Sequence, residues 1–334
     1  MHVANQISSS ISYRSFYAPV SRELETVESF LHDFLICDNP FIGKVVHHGF
    51  QLGGKRLRPA LLLLFAKMGG EVTEKQLTLA AAVETIHAAT LVHDDILDEA
   101  KIRRHLPTVN AIWNNETSVL LGDYMVARAM QRVTELDDTR VSRIVARTSC
   151  ELCEGEMRQV GFRGRFDLTE EQYNRIIRGK TASLCECACY LGTFLSDRAF
   201  PEQLIAAGGY GLHLGMAFQI ADDLLDLAGD EGKMGKTLGT DLEKQKITLP
   251  LIRLFAKMEE AERAALVEKI QNDSGAETRR EVQELLKSHG ILEEVRQTAM
   301  EHLNKAITLL DAFPESPSRQ SLRDLARFVI ERQI

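Results

Sequence analysis

Apolar residues recur at three- and four-residue intervals along almost the whole chain, and strict alternation persists nowhere, so the pattern predicts helices and no sheet. The helical stretches fall at 22–36, 42–50, 59–68, 74–98, 107–114, 117–136, 139–160, 169–178, 180–195, 201–227, 247–257, 260–272, 276–286, 288–311 and 318–332. The eight prolines fall mostly at punctuation points, between these stretches or at their first residue, as with Pro59, Pro107 and Pro201, where the ring is tolerated. No Pro- or Ser-rich linker, low-complexity run or fixed repeat divides the chain. One large all-α domain over 18–334 is therefore expected, behind a short N-terminal extension, 1–17.

Three segments break the rhythm with turn residues beside positive charge: Gly53-Gly54-Lys55-Arg56-Leu57-Arg58-Pro59, Arg103-Arg104-His105-Leu106-Pro107-Thr108, and Gly229 to Lys246. Such loops bring backbone and cations close to phosphate. Composition then narrows the field. The 334 residues are 44% hydrophobic, ample for a core, and the net charge of −8 argues against nucleic acid or an anionic membrane surface as partner. The longest apolar runs, such as Ala60 to Ala66, fall far short of the roughly 20 residues needed to span a bilayer. The first 22 residues carry Arg14, Arg22 and several serines without an acid, but no long apolar run for secretion, so a cytoplasmic protein is expected. Cys37, Cys150, Cys153, Cys185, Cys187 and Cys189 lack the nearby His and turn glycines of a zinc ribbon; small packing groups on helices are expected instead.

The chemistry concentrates in acidic pairs. In His93-Asp94-Asp95-Ile96-Leu97-Asp98, at the end of an apolar helix, Asp94 and Asp98 lie one turn apart on one face. Like charges at that spacing repel, and Asp is a poor helix former, so a cation between the carboxylates is the natural compensation. A second copy follows in Gln219-Ile220-Ala221-Asp222-Asp223-Leu224-Leu225-Asp226. Oxygen donors of this kind suit Mg²⁺, which commonly shares its shell with substrate phosphates. A matching set of cations is present: Lys55, Arg58, Arg103, Arg104, Lys180, Lys236 and Lys246. The His93-Asp94 pair also matches the metal dyad of HD-type phosphohydrolases, which leaves the second motif unexplained.

Taken together, GGKRLRP (53–59), LVHDDILDEAKIRRHLPTVN (91–110), LLGDYMVARA (120–129), GKTASL (179–184), LGMAFQIADDLLDLAGD (214–230) and GKTLGTDLEKQKITLP (235–250) resemble the all-trans isoprenyl diphosphate synthases. The match runs from about Ala18 to the C-terminus. The resemblance implies a single orthogonal helical bundle of the isoprenoid synthase type around a central cavity, and a prenyltransferase that condenses isopentenyl diphosphate with an allylic diphosphate. It implies that Asp94, Asp98 and Asp222 coordinate Mg²⁺, with Asp95, Asp223 and Asp226 completing the acidic rims. Arg103, Lys180, Thr181, Gln219, Lys236 and Lys246 would contact the allylic diphosphate; Gly54, Lys55, Arg58, His87 and Arg104 would hold isopentenyl diphosphate. A homodimer is also implied, and segment 229–246 is expected to act as a lid.

In that family bulky residues just before the first motif stop the growing tail. Here Ala89 and Thr90 are small, with Ile86 a turn further down followed by Ala82, so a long-chain product is expected. Met125 and Met130 are candidates for the floor of the tunnel or for ordinary core. The family commonly has glycine where this chain has His105 and Asn114. Competing expectations are a partner-dependent subunit of a heteromeric synthase, an HD-type phosphohydrolase, and a terpene cyclase, which would have no use for GGKRLRP.

Overall fold

Capping and proline placement set the helix starts that the apolar periodicity leaves open. In the computed structural model, which describes residues 13–34, 36–51, 54–197, 199–229 and 239–333, the elements are α1 (Tyr13–Phe16), α2 (Ser21–Phe34), α3 (Pro40–Gln51), α4 (Leu57–Gly69) and α5 (Glu74–Leu97). A small hairpin, β1 (Ile102–Arg103) and β2 (Leu106–Pro107), precedes α6 (Val109–Ile112), α7 (Asn115–Thr134), α8 (Thr139–Gly161), α9 (Glu170–Ile177), α10 (Ser183–Phe194) and α11 (Pro201–Ala228). The C-terminal part holds α12 (Thr240–Glu243), α13 (Leu249–Lys257), α14 (Glu260–Asn272), α15 (Ala276–Ser288), α16 (Ile291–Leu309) and α17 (Pro317–Gln333). Thr73 and Gln76 cap α5 through the Thr73 amide, which donates to Gln76 Oε1 at 2.8 Å. Asn114, in place of the expected glycine, accepts from the Thr117 amide at 2.7 Å and caps α7.

The core forms two clusters, and two long helices thread both. Tyr210, Leu214 and Ala217 of α11 pack with α4, α5, α7 and α10, whereas Ile220, Leu224 and Leu227 pack with α9, α13 and α15. Leu303 and Ala306 of α16 belong to the first cluster, and Val295 and Ala299 to the second. Each fully buried large aliphatic side chain contributes on the order of 1.5–3 kcal/mol. The continuity of α11 and α16 therefore makes one body of the two clusters.

Three expectations change. The stretch 107–114 is not one helix: Arg104 and His105 take positive φ of 50° and 66°, closing the tight turn of the hairpin and leaving only Val109–Ile112 helical. The run 288–311 is interrupted at Gly290, whose φ of 70° ends the helical path before Ile291. Residues 178–182 form a π-helical turn that joins α9 to α10. Within the extension, α1 brings Phe16 against Phe328, their ring centroids 5.0 Å apart and the planes tilted by 50°, and Tyr17 is buried, while residues 1–12 lie outside the described residues.

Helix α11 is long and apolar enough to cross a bilayer by length and composition, but 61% of its most apolar window is buried inside the protein. Cys185, Cys187 and Cys189 are buried packing groups as expected, whereas Cys150 and Cys153 are exposed on α8.

His213 of α11 and His302 of α16 meet Nδ1 to Nδ1 at 2.9 Å, so one ring must donate to the other and both cannot be charged. Burial first, then His213 and Lys305, hold His302 down to about 4, from an ordinary value of 6.5. The unfolded chain therefore binds the extra proton first, and stability is complete above pH 6.5 and falls as pH drops towards 4. Discounted for partial solvent access, the loss amounts to about 1–2 kcal/mol. A His302→Leu variant should flatten the melting temperature between pH 7 and 4.5; an unchanged slope would rule the pair out as its cause.

Candidate active site

The two aspartate motifs occupy the C-terminal turn of α5 and the C-terminal third of α11. Asp94 and Asp222 line one cavity of about 510 Å³, together with Lys180, Thr181, Gln219 and Arg103. The same cavity is lined by Gly54, Lys55, Arg58, His87, Arg104 and Thr90, so both sets of expected diphosphate ligands converge. Lys246 lines a smaller adjoining pocket that shares Lys180 and Gln219 with it. Lys236 lies outside the described residues, as does half of the expected lid, 230–238.

The aspartates of each motif do different things. Asp98 Oδ1 accepts from Lys246 Nζ at 2.9 Å and lies 3.3 Å from Lys244 Nζ and 3.9 Å from Arg163 Nη2. Burial works against its charge, but Lys246 and Lys244 more than offset it, and the carboxyl is held below the ordinary range. Asp95 is buried; Arg103 Nε donates to its Oδ1 at 2.8 Å, and Oδ2 has no hydrogen-bond partner among the described residues. Asp223 is buried too and receives the Tyr173 hydroxyl and the Gln219 amide, each at 2.7 Å. Gln219 in turn accepts from Thr181 at 2.7 Å, which ties the second motif to the lysine-bearing turn. Asp226 accepts from the Thr240 hydroxyl and the Asp241 amide at 3.2 and 2.9 Å and thereby anchors α12.

The π turn aims Lys180. Gly155 of α8 and Gly179 pass in backbone contact, and a Cβ on Gly155 would stand 2.3 Å from the Lys180 amide nitrogen. Lys180 Nζ then reaches Glu156 at 2.8 Å, Gln159 at 2.9 Å and Asp94 at 3.9 Å. Burial disfavours its charge, yet Asp94 and Glu156 raise its pKa above the ordinary lysine value, so it remains a cation. His87 is pushed the other way: burial, then Arg58, Arg104, Arg103 and Arg56, hold it well below the usual imidazole range. It is therefore neutral at pH 7 and offers the cavity a hydrogen-bonding group rather than a charge.

Several of these residues carry no sequence signal. Glu156, Gln159, Tyr173 and Arg163 sit in no recognisable motif, and neither does Glu84, buried beside the cationic loop. The HD-phosphohydrolase expectation fails on geometry. His93 turns from the cavity towards α7, packs on Gly122 and lies 3.2 Å from Val119 O and 3.6 Å from Asp123.

The oxygen-only donors Asp94, Asp98 and Asp222 fit a hard divalent cation that completes its shell with phosphate oxygens and water. Among the described residues no three His, Cys, Asp or Glu side chains cluster closely enough to hold a metal ion by themselves. The donor set thus calls for substrate oxygens as well.

A helical bundle that brings two aspartate motifs and a set of cations to one cavity has the make-up of an enzyme acting on phosphate-bearing substrates. The polyprenyl synthetase family model matches residues 39–288, and the chain belongs to that family. It is 36% identical over 316 residues to an all-trans-nonaprenyl-diphosphate synthase (geranyl-diphosphate specific) of Rhodobacter capsulatus, covering 94% of this chain and 96% of the relative. It is also 36% identical to heptaprenyl diphosphate synthase component 2 of Geobacillus stearothermophilus, over 96% of this chain and 98% of that protein. A polyprenyl synthase structure from Caulobacter crescentus, complexed with calcium and isoprenyl diphosphate, superposes with a TM-score of 0.90 at 33% identity, covering 97% of this chain and 98% of that one. The protein is accordingly a trans-prenyltransferase, an all-trans polyprenyl diphosphate synthase with the all-α isoprenoid synthase fold.

Proposed function

We propose that this enzyme makes a long-chain all-trans polyprenyl diphosphate from isopentenyl diphosphate and an allylic primer, with Mg²⁺, in one prenyltransferase domain, 18–334. The observation that carries the assignment of roles is the convergence of Asp94, Asp222, Lys180, Thr181 and Gln219 with Gly54, Lys55, Arg58, His87 and Arg104 around one cavity. Asp94, Asp98 and Asp222 would hold the metal; the calcium in the Caulobacter relative's structure supports a divalent ion there. When bound, Mg²⁺ supplies positive charge to the departing pyrophosphate.

The side chains do the rest. Lys180, Arg103, Thr181, Gln219 and Lys246 orient the allylic diphosphate and stabilise the charge that develops as its carbon–oxygen bond breaks. Lys55, Arg58 and Arg104 fix the isopentenyl diphosphate, and His87 adds a neutral hydrogen-bonding group. The isopentenyl double bond attacks the allylic carbocation, and the proton lost from the new C–C adduct passes to the pyrophosphate oxygen. Water must be excluded from the cation, a task we assign to segment 229–246, with Lys236 joining the allylic site from it.

Thr90 lines the cavity and Ala89 is fully buried beside it, both small, which supports a long tail, as do relatives named for long products. Exposed Ile112, Leu120 and Met157 supply apolar surface for a homodimer; a heteromer, as the component-2 name of one relative implies for that protein, is the second reading. The test is to incubate the purified chain with Mg²⁺, labelled isopentenyl diphosphate and geranyl or farnesyl diphosphate, and to size the products. Long prenyl products that disappear on chelation and return with Mg²⁺ are expected. No incorporation from any primer would transfer the case to the partner-dependent subunit.

A further inference from the structure

Arg56 stands between Lys55 and Arg58, yet its own guanidinium is committed to protein. Nε and Nη2 donate to Glu28 Oε1 and Oε2 at 2.6 and 3.1 Å, and Nη1 donates to Glu84 Oε1 at 3.1 Å. Glu28 belongs to α2 and Glu84 to α5, so one side chain fastens the loop to two helices. The two-point fork on Glu28 fixes direction as well as distance.

The backbone explains why fastening is needed. Arg56 has φ of 53°, in the left-handed region, where a non-glycine residue costs about 1–2 kcal/mol. Such a conformation persists only where the surroundings over-determine it. It directs the chain into α4 with Lys55, Arg56 and Arg58 all lining the cavity, but of the three it is Arg56 whose guanidinium is forked onto Glu28 and Glu84. Glu84 is 2% exposed, and its Oε2 has no hydrogen-bond partner among the described residues. Arg104 packs on the same corner, since a Cβ on Gly54 would stand 3.3 Å from Arg104 Nη2 and 3.7 Å from Glu84 Oε1. A buried carboxylate beneath this group of cations relieves their mutual repulsion. Burial disfavours the Arg56 charge, but Glu28 and Glu84 more than offset it.

We infer that Glu28, Arg56 and Glu84 form a positioning clamp that sets the geometry of the Lys55–Arg58 pocket, and that Arg56 is not itself a diphosphate ligand. The inference rests on the assignment of that pocket to isopentenyl diphosphate. Lysine cannot replace Arg56 in this role, because a point charge cannot bridge two carboxylates in a fixed fork.

The experiment is steady-state kinetics on the full chain with Arg56→Gln, Arg56→Lys, Glu84→Gln and Glu28→Gln, beside Arg58→Gln, each with a melting curve. Both Arg56 variants and Glu84→Gln are expected to raise KM for isopentenyl diphosphate roughly 10- to 100-fold, with the allylic KM within about twofold of the parent. Combining Arg56→Gln with Glu84→Gln should add little to the larger single effect, as for residues acting through one contact. Glu28→Gln shifts the same KM less, and its half-exposed position keeps the test available if Glu84→Gln does not fold. Recovery of the parental KM in Arg56→Lys, or an unchanged KM in Glu84→Gln, overturns the clamp and makes Arg56 a direct ligand. An Arg58→Gln effect on the allylic KM alone overturns the pocket assignment instead, and the clamp's stated role with it.

Discussion

Asp222→Asn is expected to lower kcat/KM roughly a thousandfold while leaving the melting temperature near that of the parent. Asn keeps the size and one acceptor oxygen but removes the charge that Asp222 contributes to the cavity it shares with Asp94. Its neighbours in the motif should respond differently. Both Asp223 oxygens receive hydrogen bonds, from Tyr173 and Gln219, so an Asn there turns an NH₂ against one donor. Asp223→Asn should therefore cost about 1–3 kcal/mol of stability, read as a drop in melting temperature, before it costs activity through the displaced Gln219. Circular-dichroism melts and initial rates on the two variants separate these roles. Equal activity losses with unchanged melting temperatures for Asp222→Asn and Asp223→Asn would refute the division of labour within the motif.

That division marks the limit of what the chain discloses as a string. The helices and both motifs were legible because their signals are local: Asp94 and Asp98 are a turn apart, and His87 and Asp94 are two turns apart on one stripe. The hairpin at 102–107 was not, because two-residue strands carry no alternation and the positive φ of His105 contradicts that residue's ordinary preference. The long-range partners of the site's charged groups were hidden for another reason. Tyr173 reaches Asp223 across a sequence separation of 50, and Arg56 reaches Glu28 and Glu84 across 28 each. Such pairs depend on packing between helices, and a lone Glu or Tyr on a helix has the same sequence signature whether it faces a substrate cavity or water. The His93-Asp94 dyad shows the converse: adjacent residues on a helix point about 100° apart, and here they face different neighbours.

Thr90→Phe should move the product from long-chain to farnesyl or geranylgeranyl length while leaving the first condensation nearly intact. Thr90 lies on the cavity wall between His87 and Asp94, one turn below the motif, with its hydroxyl donating to the His87 carbonyl at 2.8 Å. A phenyl ring there fills space that a lengthening tail must enter, while every aspartate and cation of the site is retained. Ala89→Phe is a poorer probe, because Ala89 is fully buried in the first core cluster and overpacking costs about 1–3 kcal/mol in addition to any block. Ile86, 2% exposed and a turn further down, becomes the next stop: Ile86→Ala is expected to lengthen the product modestly at a stability cost of about 2–5 kcal/mol. Product sizing by reversed-phase chromatography, with the rate of the first addition measured on the same preparations, decides the matter. Shorter chains from Thr90→Phe at an unchanged first-addition rate place the tail along this face of α5. Unchanged chain length from a stable, active Thr90→Phe enzyme would put the tail on another wall of the cavity and remove Thr90 and Ile86 from the determination of product size.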